Sequence, residues 1–208
     1  MKKILAALLV FTLISFSAFS QENTDSRKGT IGFSIVPIGE NEMVRFEDVD
    51  GAGSTSGDGF FTAGIFYLYP IAGKYLEIET GVEFSRHKII QEAAYYPGLN
   101  INRDKDRFSL ITIPIGVRLS FLKYFYLHGG AFLNFNATPE FPTDSQAGLG
   151  LQFGFGAKYD FASGTTFFAG TYFKAHSILA VPREQYHQHL LDSGLRLGVG
   201  IPLKNLWK

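Results

Sequence analysis

Five histidines are the first candidates for chemistry: His87, His128, His176, His187 and His189. His176 and the pair His187 and His189 flank one polar stretch, so a hairpin would bring the three together at one rim, with His87 at a similar height. Imidazoles gathered in this way bind first-row transition metals. Their spacing matches no compact ligand motif, so the default role is that of polar rim residues and no cofactor is expected. Ala175-His176-Ser177 sets a histidine beside a serine, yet adjacent strand residues point to opposite faces, so His176 is not placed to activate Ser177. With no convergent triad, no enzyme is expected. The acidic stretch Glu47, Asp48, Asp50, Gly51 and Asp58 lacks the ordered spacing and terminal glutamate of a calcium loop.

The remaining candidates are charges embedded in apolar alternation. In LEIETGVEF, residues 76–84, a strand places Leu76, Ile78, Thr80, Val82 and Phe84 on one face and Glu77, Glu79, Gly81 and Glu83 on the other. The same phase sets Arg118, Lys158 and Arg196 on the polar faces of three other runs. Since the run at 76–84 rises from its short turn and the run at 111–119 descends to the next, Arg118 should lie at the depth of Glu77 or Glu79; left unpaired in an enclosed space such charges would be costly.

The elements that must carry these residues are strands. Ile31, Phe33 and Ile35 alternate up to Pro37, and further alternating runs follow near 61–69, 76–84, 111–119, 125–135, 149–159, 167–176 and 195–201. The run TTFFAGTYFK fits either phase, and Lys174 favours the even positions as its polar face. The connections PIAGK, FLK and DFASG are short. The others, around IGENEMVRFEDVDGAGSTSGDG, QEAAYYPGLNINRDKD, ATPEFPTDSQ and LAVPREQYH, are long and polar. An even-stranded meander with short turns on one side and long loops on the other is the pattern of an eight-stranded antiparallel up-and-down transmembrane β-barrel.

Volume decides which face is inside. An eight-stranded barrel has room only for its own side chains, and the apolar faces carry too many large residues to fit. The oily faces therefore point into lipid, and Glu77, Glu79, Glu83, Arg118, Lys158 and Arg196 into the lumen, as a charge-paired plug with bulky Phe66, Phe132 and Gln152. Tyr67, Tyr69, Tyr75, Phe121, Tyr124, Phe125, Tyr126, Tyr159 and Phe161 gather beside the short turns, as an interfacial aromatic girdle would.

The N-terminus names the compartment. Lys2 and Lys3, an apolar run from Ile4 and the small residues Ala18 and Ser20 form a secretory signal cut before Gln21. The expected organisation is a cleaved signal at 1–20, a disordered polar leader at 21–28, the barrel at 29–203 and a tail at 204–208. With no cysteine, disulfides and thiolate chemistry are excluded. With 19 basic and 19 acidic residues, the balance argues against a nucleic-acid partner. The 23 glycines and 21 phenylalanines favour extended chain over long helices.

The signal together with GTIGFSIVP, IPIGVRLS and GLRLGVGIPL resembles the small outer-membrane β-barrel domain family common in Bacteroidota-type bacteria, broadly similar to the barrel of outer membrane protein A. The resemblance covers about residues 29 to 203 and implies an outer-membrane location and insertion by the barrel-assembly machinery. It departs at the C-terminus, where such barrels often end on an aromatic residue and this chain ends LKNLWK. The lipid A deacylase family separates its His and Ser by one residue and follows with Asn, whereas Ile178 follows here. The expected function is a non-enzymatic surface barrel whose exterior loops meet lipopolysaccharide, outer-membrane lipids, or an extracellular or secretion partner. A small transport channel is the alternative, and a lipid-modifying enzyme the third reading.

Overall fold

The computed structural model describes residues 29–45, 54–73, 75–92, 103–138, 142–181 and 187–203. The expected signal, leader and tail, and Glu47, Asp48, Asp50 and Gly51, lie outside them. Eight antiparallel strands close into a barrel in chain order: β1 (Thr30–Arg45), β2 (Ser54–Ala72), β3 (Leu76–Glu92), β4 (Arg103–Phe121), β5 (Phe125–Asn136), β6 (Gly148–Asp160), β7 (Thr166–Ala180) and β8 (Gln188–Pro202). Closure comes from β1 pairing with β8, with Thr30 opposite Pro202 and Arg45 opposite Gln188.

The strands are longer than the alternating runs suggest. β1 does not end at Pro37: its pairing shifts register between Ile35 and Ile38 and resumes to Arg45. A bulge absorbs the proline, which cannot donate to the ladder. Much of the expected first long loop is therefore strand, as are the ends of the second, where Glu92 pairs with Arg103.

Below these extensions the outer face is apolar, with Ile65, Val82, Ile115, Val117, Leu151 and Phe155 all about half exposed. From Phe121 to Ile111, β4 offers ten steps, which at about 3.4 Å each and a tilt near 40° cover roughly 26 Å, the height of an outer-membrane apolar band. Tyr69, Tyr75, Phe121, Tyr124, Phe125, Tyr159 and Phe161 stand exposed beside the short turns. Tyr126 leaves the expected girdle: it is 1% exposed and faces the lumen, because it shares the phase of His128 rather than that of Phe125.

The lumen is packed in layers. Phe66, Leu68, Tyr126 and Phe168 form the layer nearest the short turns, Val36, Phe60 and Tyr172 lie higher, and Ile89, Phe108, Leu110 and Leu190, with Met43 against them, form the outer layer. Inward glycines make the seats for these rings: a methyl on Gly32 would overlap Phe66, and one on Gly198 would overlap Phe168. Large rings and bare backbone thus alternate around a space too narrow for two side chains at one level.

Candidate functional site

Charged side chains occupy the lumen between the aromatic layers. Among the described residues, the buried charged groups are three acids, Glu79, Glu83 and Asp192, and three bases, Arg118, Lys174 and Arg196. The three acids and the three bases balance. Arg118 donates from Nε to Glu79 Oε2 at 3.0 Å and places Nη2 2.9 Å from the same oxygen. Arg196 Nη1 donates to Glu79 Oε1 at 2.7 Å, and Arg196 also donates to Ser34 Oγ. Glu83 accepts from Lys174 Nζ at 2.5 Å and from the Tyr172 hydroxyl at 3.2 Å.

Rings complete the cation sites. The Arg118 guanidinium lies 4.6 Å from the Phe168 centroid and 4.8 Å from that of Tyr126, and Lys174 Nζ lies 4.7 Å from that of Phe132. Aromatic faces stabilise a cation buried away from bulk solvent.

The sequence-derived set is distributed unevenly over this network. Glu79, Glu83, Arg118 and Arg196 form it. Glu77 is half-buried; it is the direct register partner of Arg118, yet Arg118 reaches Glu79. Lys158 turns to Asp160, 3.3 Å away, near the β6–β7 turn. Lys174, read from sequence only as a guide to phase, is the base that holds Glu83, and its strand faces its even positions inward from Phe168 to His176.

The histidines regroup. His187 and His189 pack ring to ring at 5.1 Å, while His176 turns away to Asp192, its Nε2 2.8 Å from Oδ2. His87 approaches the same oxygen from β3 at 2.9 Å. Asp192 carried no sequence signal beyond being an acid in an inward phase. Ser177 also corrects the alternation: it is fully buried beside buried His176, because φ at Ser177 is 47° and β6–β7 pairing slips between Leu149 and Leu151. His176 still does not bond it; His187 Nε2 lies 3.1 Å from Ser177 Oγ, which donates to Gln146 Oε1 at 2.9 Å. That hydroxyl has no exposed surface. Burial holds the His187 imidazole below its ordinary pKa.

Gln146, from the β5–β6 connection, ties the outer end together. It donates to the Gln188 carbonyl at 2.7 Å and accepts from the Leu190 amide at 3.0 Å, while the Gln188 amide donates to Asp144 Oδ2.

This ring of strands, lipid-compatible outside and ion-paired within, has a counterpart in sequence. The model of the outer membrane protein beta-barrel domain matches residues 6–201. The chain belongs to that outer-membrane β-barrel family. Among solved structures it is similar to the outer membrane protein OprG from Pseudomonas aeruginosa, with TM-score 0.50 and 13% identity over 84% of this chain and 95% of that one. The beta domain of the Bordetella autotransporter BrkA also aligns, with TM-score 0.27 and 9% identity over 84% of this chain and 98% of that one. No curated protein matches the chain significantly in sequence. The family and the fold locate this barrel in the outer membrane.

Proposed function

We propose that this outer-membrane barrel is a non-enzymatic surface protein with a plugged lumen, which meets its surroundings through its outer rim and exterior loops. The observation that carries the reading is the electroneutral set of Glu79, Glu83, Asp192, Arg118, Lys174 and Arg196, each at most 4% exposed and each paired. A path for ions needs charges whose partners are water; these have side-chain partners.

The rim adds a partner class. Arg86, Lys88, Lys105 and Arg107 are exposed on the outer face of β3 and β4, just beyond Phe84 and Ile111 at the edge of the apolar band. Lys88 stands opposite Arg107, and Lys105 pairs with Asp58 at 3.3 Å. Basic side chains at headgroup height attract the phosphates of lipopolysaccharide.

A small channel is the second reading, favoured by bare polar atoms inside the barrel. Thr62 Oγ1, Ser85 Oγ, Ser120 Oγ, the Tyr126 hydroxyl and both ring nitrogens of His128 are buried without a protein partner, and such atoms are commonly satisfied by water. Planar-bilayer conductance of refolded protein, checked by its heat-sensitive gel shift, separates the two. Silence is the expected result, and discrete reproducible current steps would replace the plug with the channel. Co-purified lipopolysaccharide is expected to fall when Arg86, Lys88 and Arg107 are all changed to Ala, with the gel shift unchanged.

A further inference from the structure

We infer that His87, His176 and Asp192 form a binding site for a first-row divalent transition cation, of which Zn²⁺ is the type, inside the outer third of the barrel. The three side chains come from β3, β7 and β8, and one ligand atom from each lies within 4.8 Å of the others. All are buried, His87 completely. Two imidazoles and a carboxylate are a donor set that suits zinc, nickel, copper or iron and does not suit calcium or magnesium.

Their present bonding is incomplete in a way that points to a ligand. Both Nε2 atoms converge on Asp192 Oδ2, at 2.9 and 2.8 Å, while Asp192 Oδ1 is buried with no partner. Lys174, the register partner of Asp192, gives its ammonium to Glu83 instead. A bare carboxylate oxygen in an enclosed site is costly, and a cation held by the carboxylate relieves that cost.

The rings are held as metal-binding rings are held. His87 is stacked between Phe60 and Phe108, with centroids at 5.2 and 5.1 Å. His176 Nδ1 lies 2.5 Å from Asn134 Nδ2, and Asn134 Oδ1 accepts from Thr112 Oγ1 at 2.7 Å. An outer partner on the second ring nitrogen is the usual support of a metal-bound histidine.

The proton balance closes without an external acid. Each Nε2–H that now points at Asp192 moves to Nδ1, freeing the Nε2 lone pair for the cation. At His176 the new Nδ1–H is received by Asn134 Oδ1 after the amide rotates, with the Thr112 hydroxyl accepting from Nδ2 in turn. At His87 no hydrogen bond to Nδ1 is broken, because that atom has no partner now; the new Nδ1–H stays without a side-chain acceptor, a cost the bond from Nε2 to the cation must exceed. Ligands about 2.0–2.1 Å from a tetrahedral cation stand roughly 3.3 Å apart, so the two Nε2–Oδ2 contacts open by about half an ångström. The fourth position falls to Asp192 Oδ1 or to water.

The test uses the full chain refolded in detergent, loaded with Zn²⁺, dialysed, and assayed for metal content and for affinity against a chromogenic chelator. One equivalent is expected, kept by the His187→Gln/His189→Gln double variant and weakened at least tenfold by Asp192→Asn and by His87→Gln. Failure of the folded wild type to retain zinc would overturn the site. So would retention by Asp192→Asn with loss in the double variant, which would place the metal at the outer histidine pair. Should Asp192→Asn or His87→Gln fail to give the heat-sensitive gel shift, nitrogen-15 spectra of histidine-labelled wild type decide. Zinc must move the Nε2 signals of His87 and His176 and leave those of His187 and His189, and the reverse pattern refutes the assignment.

Discussion

Glu79 is where the ion-paired lumen is most exposed to a test, because one carboxylate serves two guanidinium groups. Glu79→Gln keeps the shape and removes the charge, leaving Arg118 and Arg196 facing one neutral amide. Of the remaining buried acids, Glu83 is held by Lys174 and reaches Arg196 only at 3.5 Å, and Asp192 is committed to the histidines, so the lumen acquires one uncompensated positive charge. Breaking a buried pair in this way costs about 3–5 kcal/mol. The rings of Phe168 and Tyr126 continue to hold Arg118 and offset part of that, by about 0.5–2 kcal/mol. A net loss near 3 kcal/mol is expected, on the order of a hundredfold in the folding equilibrium. Urea titration of the barrel in lipid, followed by far-ultraviolet circular dichroism and by the heat-sensitive gel band, measures it. Removing Arg118 as well, in Glu79→Gln/Arg118→Met, restores charge balance, and the double variant is expected to recover at least half of the loss. A Glu79→Gln barrel within about 0.5 kcal/mol of wild type would refute the reasoning, because only water around Glu79 could make the charge dispensable.

Three further perturbations address packing, lipid exposure and the outer closure. Gly198→Val drives a side chain into the seat of Phe168 and is expected to cost about 1–3 kcal/mol, with Phe168→Leu in the same chain returning part of it, read as the temperature of the gel shift. Ile115→Arg, near the middle of the apolar band, is expected to cost about 2–4 kcal/mol in lipid by urea titration, whereas a water-facing position would show almost no change. His187 has its pKa lowered by burial, so the folded state binds fewer protons than the unfolded one near pH 6 and stability falls as pH drops below about 6.5. Protection from hydrogen exchange at Gln146 and Ser177, taken relative to the intrinsic rate at each pH, is expected to fall on acidification from pH 7 to 5, and His187→Gln should flatten that dependence.

Strand phase was legible because lipid outside and a narrow lumen inside impose opposite chemistry on alternate residues. Glu79, Glu83, Arg118 and Arg196 could therefore be placed inside from the sequence. The turn between β3 and β4 also set Arg118 at the depth of Glu77 or Glu79; that it reaches Glu79 although register puts it opposite Glu77, and that β8 brings Arg196 to the same carboxylate, could not be read. Nearness to a turn is a weaker guide than phase: it assigns Tyr126 to the outer girdle, although His128, two residues on, points in and Tyr126 points in with it. Ser177 shows where phase itself fails, because alternation presumes extended backbone and φ there is 47°. Asp192 and His87 meet across the lumen from strands far apart in the chain, so no local spacing could announce them.

The strand extensions, whose polar composition resembles that of loops, contain a more general signal. Within the apolar band, Val82, Phe84, Ile111 and Ile115 point out while Glu79, Glu83 and Thr112 point in. Beyond it the chemistry inverts on the same two strands: Arg86, Lys88 and Arg107 point out, and Ile89, Phe108 and Leu110 point in. The backbone alternation continues unbroken through Ile111, Leu110 and Ser109, paired with Phe84, Ser85 and Arg86, so the inversion reflects a change of solvent rather than a slip of register. Below it the barrel is a membrane protein with polar pairs inside; above it the same strands obey the rule for water, with an apolar core of Ile89, Phe108, Leu110 and Leu190. A polar stretch between membrane strands is therefore strand, not loop, when its apolar residues keep the period of two but change parity. His87, His176 and Asp192 lie beside that change of solvent, capped by the apolar outer layer and floored by ion pairs, which is where an enclosed polar cluster meets the least competition from water.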